Sequence, residues 1–135
     1  MFEYLMPPLT MRTYEHSLLS HTYRTVVRKQ RQYGAQRGVP WGISESGYAR
    51  VDRDLNHQYR AFGVPGLSLR RGAGLDLVVS PYSTLLALAV EPRAAVRNLR
   101  RLKKEGIEGQ YGFYEAVDYT ARRLPEGQNK LIVRA

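Results

Sequence analysis

Apolar residues recur at helical spacing in three stretches of the chain. From Thr13 to Gly34, Leu19, Tyr23, Val26, Val27 and Gln30 share one face of a 3.6-residue repeat. Thr13 can cap this helix and Glu15 lies in its first turn. Arg28, Lys29 and Arg31 crowd the last turn, as the helix dipole favours, and Gly34 supplies a stop. Ser80-Pro81 opens a second helix, with Ser as cap and Pro at the first helical position. It runs through "YSTLLALAV" and is apolar nearly all round, which predicts burial. Pro92 starts a third, "PRAAVRNLRRLKKEG", closed by Gly106, with Val96, Leu99 and Leu102 as its inner stripe. Only "EP" separates the second helix from the third, so the two form a tight hairpin.

Between Gly34 and Gly74 the periodicity fades into Gly, Pro and Tyr, with short helical turns expected around "DRDLNHQYRAF". Loops this long inside a compact domain tend to carry function. A second Gly/Tyr/acid stretch, "EGQYGFYEAVDYT", follows Gly106, and then "ARRLPEGQNKLIVRA". Val and Ile cluster too rarely for a sheet of any size. The pattern predicts a mainly α chain with long Gly/Tyr-rich loops, without internal repeats or low-complexity tracts.

Composition narrows this picture. A chain of 135 residues with 43% hydrophobic content fits one globular domain and argues against wholesale disorder. It has no cysteine, which excludes a disulfide framework, a thiolate zinc site and a cysteine nucleophile. "MFEYLMPPLT" has no basic leader and breaks at two prolines, so it does not read as a signal peptide. Apolar runs such as "LLALAV" are far too short to span a bilayer. The formal charge of +9 admits a polyanion-binding alternative through Arg93, Arg97, Arg100, Arg101, Lys103 and Lys104 of helix 93–104. With twelve acids also present, a solvated basic face is the simpler reading, and no specific nucleic acid is expected.

Familiar catalytic spacings fail one by one. "GISESG" misses the nucleophile elbow because its second glycine, Gly47, falls one position late. "DRDLNH" begins like a calcium loop, but His57 stands where the turn glycine belongs and Gly63 where the closing glutamate belongs. "GAGLDL" lacks the third glycine of a dinucleotide fingerprint. His16 and His21 are five residues apart and point to different helix faces, so they do not share a metal.

What remains is a pair of acids among aromatic rings. "GVPWGISESGY" sets Glu45 between Trp41 and Tyr48. "GQYGFYEAVDY" sets Glu115 among Tyr111, Phe113, Tyr114 and Tyr119, with Asp118 a turn away. Flat rings lie well against the apolar faces of sugars, and two carboxyl groups are what glycosidic bond cleavage requires. The plainer alternative is that both glutamates cap helix starts or bond backbone amides.

Six stretches together carry a resemblance: "FEYLMP", "GVPWGISESGY", "YRAFGVPGLSLRRG", "DLVVSPYSTLLAL", "NLRRLKKEGIEGQYGFYEAVDYT" and "RLPEGQ". They are similar, in order and over essentially the whole chain, to the glycoamylase-like middle domain of cyclic β-1,2-glucan synthases. The resemblance implies an (α/α)6 six-hairpin toroid acting on linear β-1,2-glucan. It implies retaining transglycosylation to a ring, or hydrolysis, with neither cofactor nor metal. Carried over by position, Glu45 is the acid/base and Glu115 the nucleophile, while Trp41, Tyr48, Arg60, Tyr111, Tyr114 and Asp118 are substrate contacts. Twelve helices and their loops need on the order of 200 residues, so residues 1–135 are expected to form part of the domain, an incomplete barrel. Such a piece is expected to be weakly active or inactive alone, and to pair with the rest of its barrel or with a second copy. Its β-glucan partner would be an oligosaccharide or polysaccharide. Within a full synthase the domain would lie at the cytoplasmic side of the bacterial inner membrane, although no membrane segment is read in these residues.

Overall fold

The computed structural model describes residues 1–68, 74 and 76–134. Of these, 41% are helical and 17% lie in strands, so the chain mixes helix and sheet rather than being mainly α. Two single-turn helices, α1 (Phe2–Leu5) and α2 (Pro7–Thr10), precede the long α3 (Leu18–Gln36). Next comes the hairpin β1 (Ser46–Val51) and β2 (His57–Arg60), then β3 (Val78–Val79) and α4 (Pro81–Leu86). A 3-10 turn, Ala87–Ala89, joins α4 to α5 (Pro92–Lys104). The short strands β4 (Glu108–Gly109), β5 (Gly112–Phe113), β6 (Ala116–Asp118) and β7 (Leu131–Val133) complete the order. No six-hairpin toroid is visible among the described residues: α3 and α5 are the long helices, and small sheets separate them in sequence.

The helix ends differ from the pattern in instructive ways. Ser17, not Thr13, caps α3, its Oγ accepting the Ser20 amide at 3.2 Å. Gly34 is no stop; the helix continues to Gln36. Its missing side chain serves packing, since a Cβ there would lie 2.9 Å from the Trp41 Cβ. On α5 the buried stripe is Ala94, Ala95, Asn98 and Leu102, while Val96 faces solvent. Small residues let α5 approach α4 and the 3-10 turn closely, a preference that hydrophobicity alone does not express. On α4 the buried residues are Pro81, Ser83 and Thr84, whereas Leu85 is 43% exposed. The all-round apolar reading therefore inverts: hydroxyls face inward because a polar loop needs partners there.

Where helical turns were expected around "DRDLNHQYRAF", an antiparallel hairpin forms. Asp52 drives it, its Oδ1 accepting the amides of Asp54 and Asn56, both at 2.9 Å. Leu55 takes a left-handed conformation at the tip (φ 65°). Strands β3, β6 and β7 make an antiparallel sheet in the order β3-β6-β7, with Val79 opposite Val117 and Val117 opposite Ile132. It is as small as the scarcity of Val and Ile suggested, yet it centres the core. Ile43, Phe62, Val78, Val79, Leu102, Ile107, Val117 and Val133 pack in one cluster. Leu5, Tyr23, Val26, Val27, Trp41, Ala87 and Ala95 form another between the helices.

Candidate functional site

The stretch Pro40 to Ser44 is irregular yet buried, so its backbone polar groups must find partners inside the protein. Side chains supply them. The Gln30 amide donates from Nε2 to the Ile43 carbonyl at 2.7 Å and accepts the Ile43 N–H on Oε1 at 2.9 Å. Asn98 does the same for Trp41, donating to its carbonyl at 2.7 Å and accepting its N–H at 3.1 Å. Thr84 Oγ1 also donates to the Trp41 carbonyl, and the Ser80 amide donates to Gly42 O at 2.9 Å. Each amide side chain thus acts as one residue of a neighbouring strand. Gly42 lies between them at φ 122°, where a Cβ would come within 2.7 Å of Thr84 Oγ1.

This threaded loop delivers Glu45 to the start of β1. Tyr82 Oη donates to the Glu45 carbonyl at 3.0 Å and lies 2.9 Å from Ser44 Oγ, which also accepts the Phe2 amide. Glu115 arrives from the turn between β5 and β6, and its Oε1 accepts the Gly47 amide at 2.9 Å. The second acid is therefore bonded to backbone two residues beyond the first. Tyr59, paired with Gly47 across the hairpin and 62% exposed, stands in the field of both. Desolvation, then the negative charges of Glu45 and Glu115, hold its phenol above the ordinary value. Burial likewise raises Tyr82, with the charge of Glu45 adding to it. A cavity of about 270 Å³ opens beside Glu115, lined also by Pro81, Tyr82, Leu85, Phe113 and Tyr114.

The other sequence-predicted contacts scatter. Tyr114 lines the Glu115 cavity, with the Arg134 guanidinium 5.1 Å above its ring. Tyr111 is 95% exposed at the tip of the β4–β5 hairpin. Trp41 is 7% exposed and packs with the α3 and α5 side chains, bordering a separate groove with Val39, Ala94 and Asn98. Asp118 is fully buried; it accepts the amides of Ala49 and Thr120 and a two-pronged contact from Arg123 at 2.6 and 3.0 Å. Its observed work is to hold β1 against β6. Tyr48 is buried under Arg123, donating its hydroxyl to Gln58. Arg60 makes an ion pair with the buried Asp76 at 3.5 Å.

Tyr59 and Tyr82 are the residues that pattern reading missed. A tyrosine directly after the Ser-Pro helix start was the available signal for Tyr82, and no pattern in "HQYR" marked Tyr59. Among the described residues, no group of three or more His, Asp or Glu side chains comes together to hold a metal ion. No described helix is long and apolar enough to cross a membrane. The basic face of α5 is partly engaged internally: Arg101 donates to the carbonyls of Gly38 and Val39, and Lys103 pairs with Glu108 at 2.6 Å.

Comparison with known proteins places this geometry in context. Residues 1–133 match the Glycoamylase family model, described as "Putative glucoamylase". Cyclic beta-(1,2)-glucan synthase NdvB of Rhizobium meliloti (strain 1021) is 46% identical over 134 residues, a match that covers 99% of this chain and 5% of that protein. With a family match over almost its full length and one relative this similar, the chain belongs to the Glycoamylase family of carbohydrate-related domains.

Proposed function

We propose that residues 1–135 carry the acid pair of a domain that processes linear β-1,2-glucan, by retaining transglycosylation to a cyclic product or by hydrolysis. The observation that carries this reading is the cavity of about 270 Å³ that Glu115 lines with Tyr82, Phe113 and Tyr114, since Tyr82 also bonds the Glu45 carbonyl. The Glu115–Gly47 bond alone is what the plainer alternative also expects. In this reading Glu115 is the nucleophile. Gly47 occupies its Oε1 and orients the carboxylate, leaving the second oxygen to attack. Glu45 is the acid/base, protonating the leaving oxygen and then activating the acceptor hydroxyl or water. A retaining pair requires carboxyl groups about 5–5.5 Å apart. Tyr59, Tyr82 and Tyr114 supply hydroxyls and ring faces for the sugar. Whether a sugar hydroxyl or water takes the intermediate, and hence ring or hydrolysate, depends on what covers the acceptor side.

The chain spans about 5% of the length of its synthase relative. We therefore assign it part of a barrel completed elsewhere, at the cytoplasmic side of a bacterial inner membrane, and weak turnover in isolation. Binding is the direct test. Titration with β-1,2-linked gluco-oligosaccharides should shift the Gly47 and Glu115 amide resonances saturably. The shifts should weaken at least tenfold in Glu115→Gln and Glu45→Gln. Product analysis by mass spectrometry then distinguishes rings from shortened linear chains. Oligosaccharide binding that is indifferent to both substitutions would refute the assignment. Trp41 is 7% exposed and does not line the Glu115 cavity, so its fluorescence is a less direct reporter than these amides.

A further inference from the structure

Where Tyr48, Ala49 and Arg50 of β1 meet Arg60 of β2 and Arg122 and Arg123 of a second 3-10 turn, Ala121–Arg123, a cavity of about 480 Å³ opens. Four guanidinium groups line it, and three of them, Arg60, Arg122 and Arg123, pair with two buried carboxylates, Asp76 and Asp118. Four positive charges against two leave an excess of two. The four arginines are not equivalent. Arg123 is spent on structure: it grips Asp118, lies 3.1 Å from Asp76 and covers the Tyr48 ring at 4.9 Å. Arg122 gives one terminal nitrogen to Asp76 at 2.7 Å, and Arg60 approaches the same carboxylate only at 3.5 Å. Arg50 is exposed and has no partner among the described residues.

Each guanidinium presents five N–H donors in a planar fork. Arg50, Arg60 and Arg122 therefore turn many unmatched donors toward one concave space, while Asp76 fixes two of them in place. Neutral sugar hydroxyls do not need such an excess of charge. A group with several anionic acceptor oxygens does, and forked donors match its geometry. We propose that this cavity is an oxyanion site that binds a phosphate group, separate from the acid pair. Its volume falls in the range of small-molecule sites, about 300–1,000 Å³. That leaves room for a hexose bearing the phosphate as well as for the free ion.

The 135-residue chain is titrated, at constant ionic strength, with inorganic phosphate, glucose 6-phosphate and glucose, following the amide resonances of Ala49 and Arg50. Saturable shifts are expected with both phosphates and none with glucose. Affinity should fall at least tenfold in the double variant Arg50→Gln/Arg122→Gln. It should hold in Arg93→Gln/Arg100→Gln, which removes the same charge from the exposed face of α5. Because Arg122 also braces Asp76, Arg50→Gln alone provides a second arm that disturbs no contact among the described residues. A tenfold preference for glucose 6-phosphate assigns the site to a sugar-borne phosphate; equal affinities assign it to the free ion. Shifts that never saturate, or that weaken as much in the α5 variant, overturn the proposal. Loss of oligosaccharide binding in Glu115→Gln with phosphate binding intact would show that the two sites stand independently.

Discussion

Replacing Gln30 by Met keeps nearly the same volume and shape but removes both hydrogen bonds to Ile43. Ile43 is 1% exposed, so its N–H and C=O have no water to turn to. Each stranded buried group costs about 1–3 kcal/mol, together about 2–6 kcal/mol. The methionine tip recovers roughly 1 kcal/mol through apolar burial. The expected net loss is about 3 kcal/mol, a large share of the roughly 5–15 kcal/mol that holds a domain folded. At a few degrees per kcal/mol for a chain of this size, Tm should drop by about 10 °C. Urea unfolding supplies the measurement: the midpoint should fall while the slope stays constant. A companion, Gln30→Glu, still accepts from Ile43 N–H but sets a carboxylate oxygen against the Ile43 carbonyl, where the wild-type N–H donates at 2.7 Å. That buried acid holds its proton more tightly folded than unfolded, so its folded pKa rises above the ordinary value of about 4.3. Its stability is therefore greatest below that value and is lost as pH rises through the raised pKa. A Gln30→Met midpoint within about 0.5 kcal/mol of wild type, the spread of ordinary surface changes, would refute the idea that these two bonds hold the loop.

Arg123→Gln should cost about 3–5 kcal/mol, because it strips the buried Asp118 of its only cationic partner among the described residues and Asp76 of one of three; thermal unfolding would measure it. Gly42→Ala combines a strained left-handed backbone with contacts of 2.7 and 2.8 Å to Thr84 and Ser83. It should cost about 3 kcal/mol or more, visible as a lower Tm and lower soluble yield. Burial raises the phenols of Tyr82 and Tyr119, so both should stay protonated past the ordinary value of about 10 in ultraviolet absorbance titration. Because the folded state binds those protons more tightly, stability should be full below that value and fall as pH rises above it. Gly47→Ala places a Cβ 3.2 Å from the Glu115 Cγ, and should weaken oligosaccharide binding about tenfold with little change in Tm.

The legible parts of this fold were those that rest on local rules. Pro92 and the basic last turn marked α5 to within a residue or two, and Ser80-Pro81 marked the start of α4. The hairpin β1–β2 was not legible. Its turn is made by the Asp52 side chain rather than by glycine, and the residues following it carry no apolar alternation. The buried face of α5 was misread for a related reason. Asn98 faces inward because Trp41 needs a partner, and no periodicity scan registers the hydrogen bonds of a loop 57 residues away. Among the candidate site residues, Glu45 and Glu115 stand out in the sequence as acids set among rings, and Glu115 lines a cavity with Tyr82, Phe113 and Tyr114. Trp41 and Asp118 drew notice for the same chemistry but bury themselves in structural roles. "YRAFGVPGLSLRRG", one of the stretches that carry the resemblance, and "GAGLDL" fall partly outside the described residues.

The acid pair owes its position to one short reference frame, residues 41–47. From behind, Asn98 and Thr84 fix Trp41, Gln30 fixes Ile43, and Ser80 fixes Gly42. From the front, Tyr82 fixes the Glu45 carbonyl and Gly47 fixes the Glu115 carboxylate. Every one of these bonds uses backbone in that stretch, so the Glu45 backbone and the Glu115 carboxylate are registered to the same segment. Helices α3, α4 and α5 each contribute a polar side chain where an apolar one would give more hydrophobic stabilisation. Polar groups buried this deeply hold position sharply because leaving any of them unmatched is expensive. Glycines at 42 and 47 allow the close approaches that this frame requires. A stretch dense in glycine and serine around a lone tryptophan is therefore the sequence trace of a buried loop held by amide and hydroxyl side chains, with the indole packed among the helices.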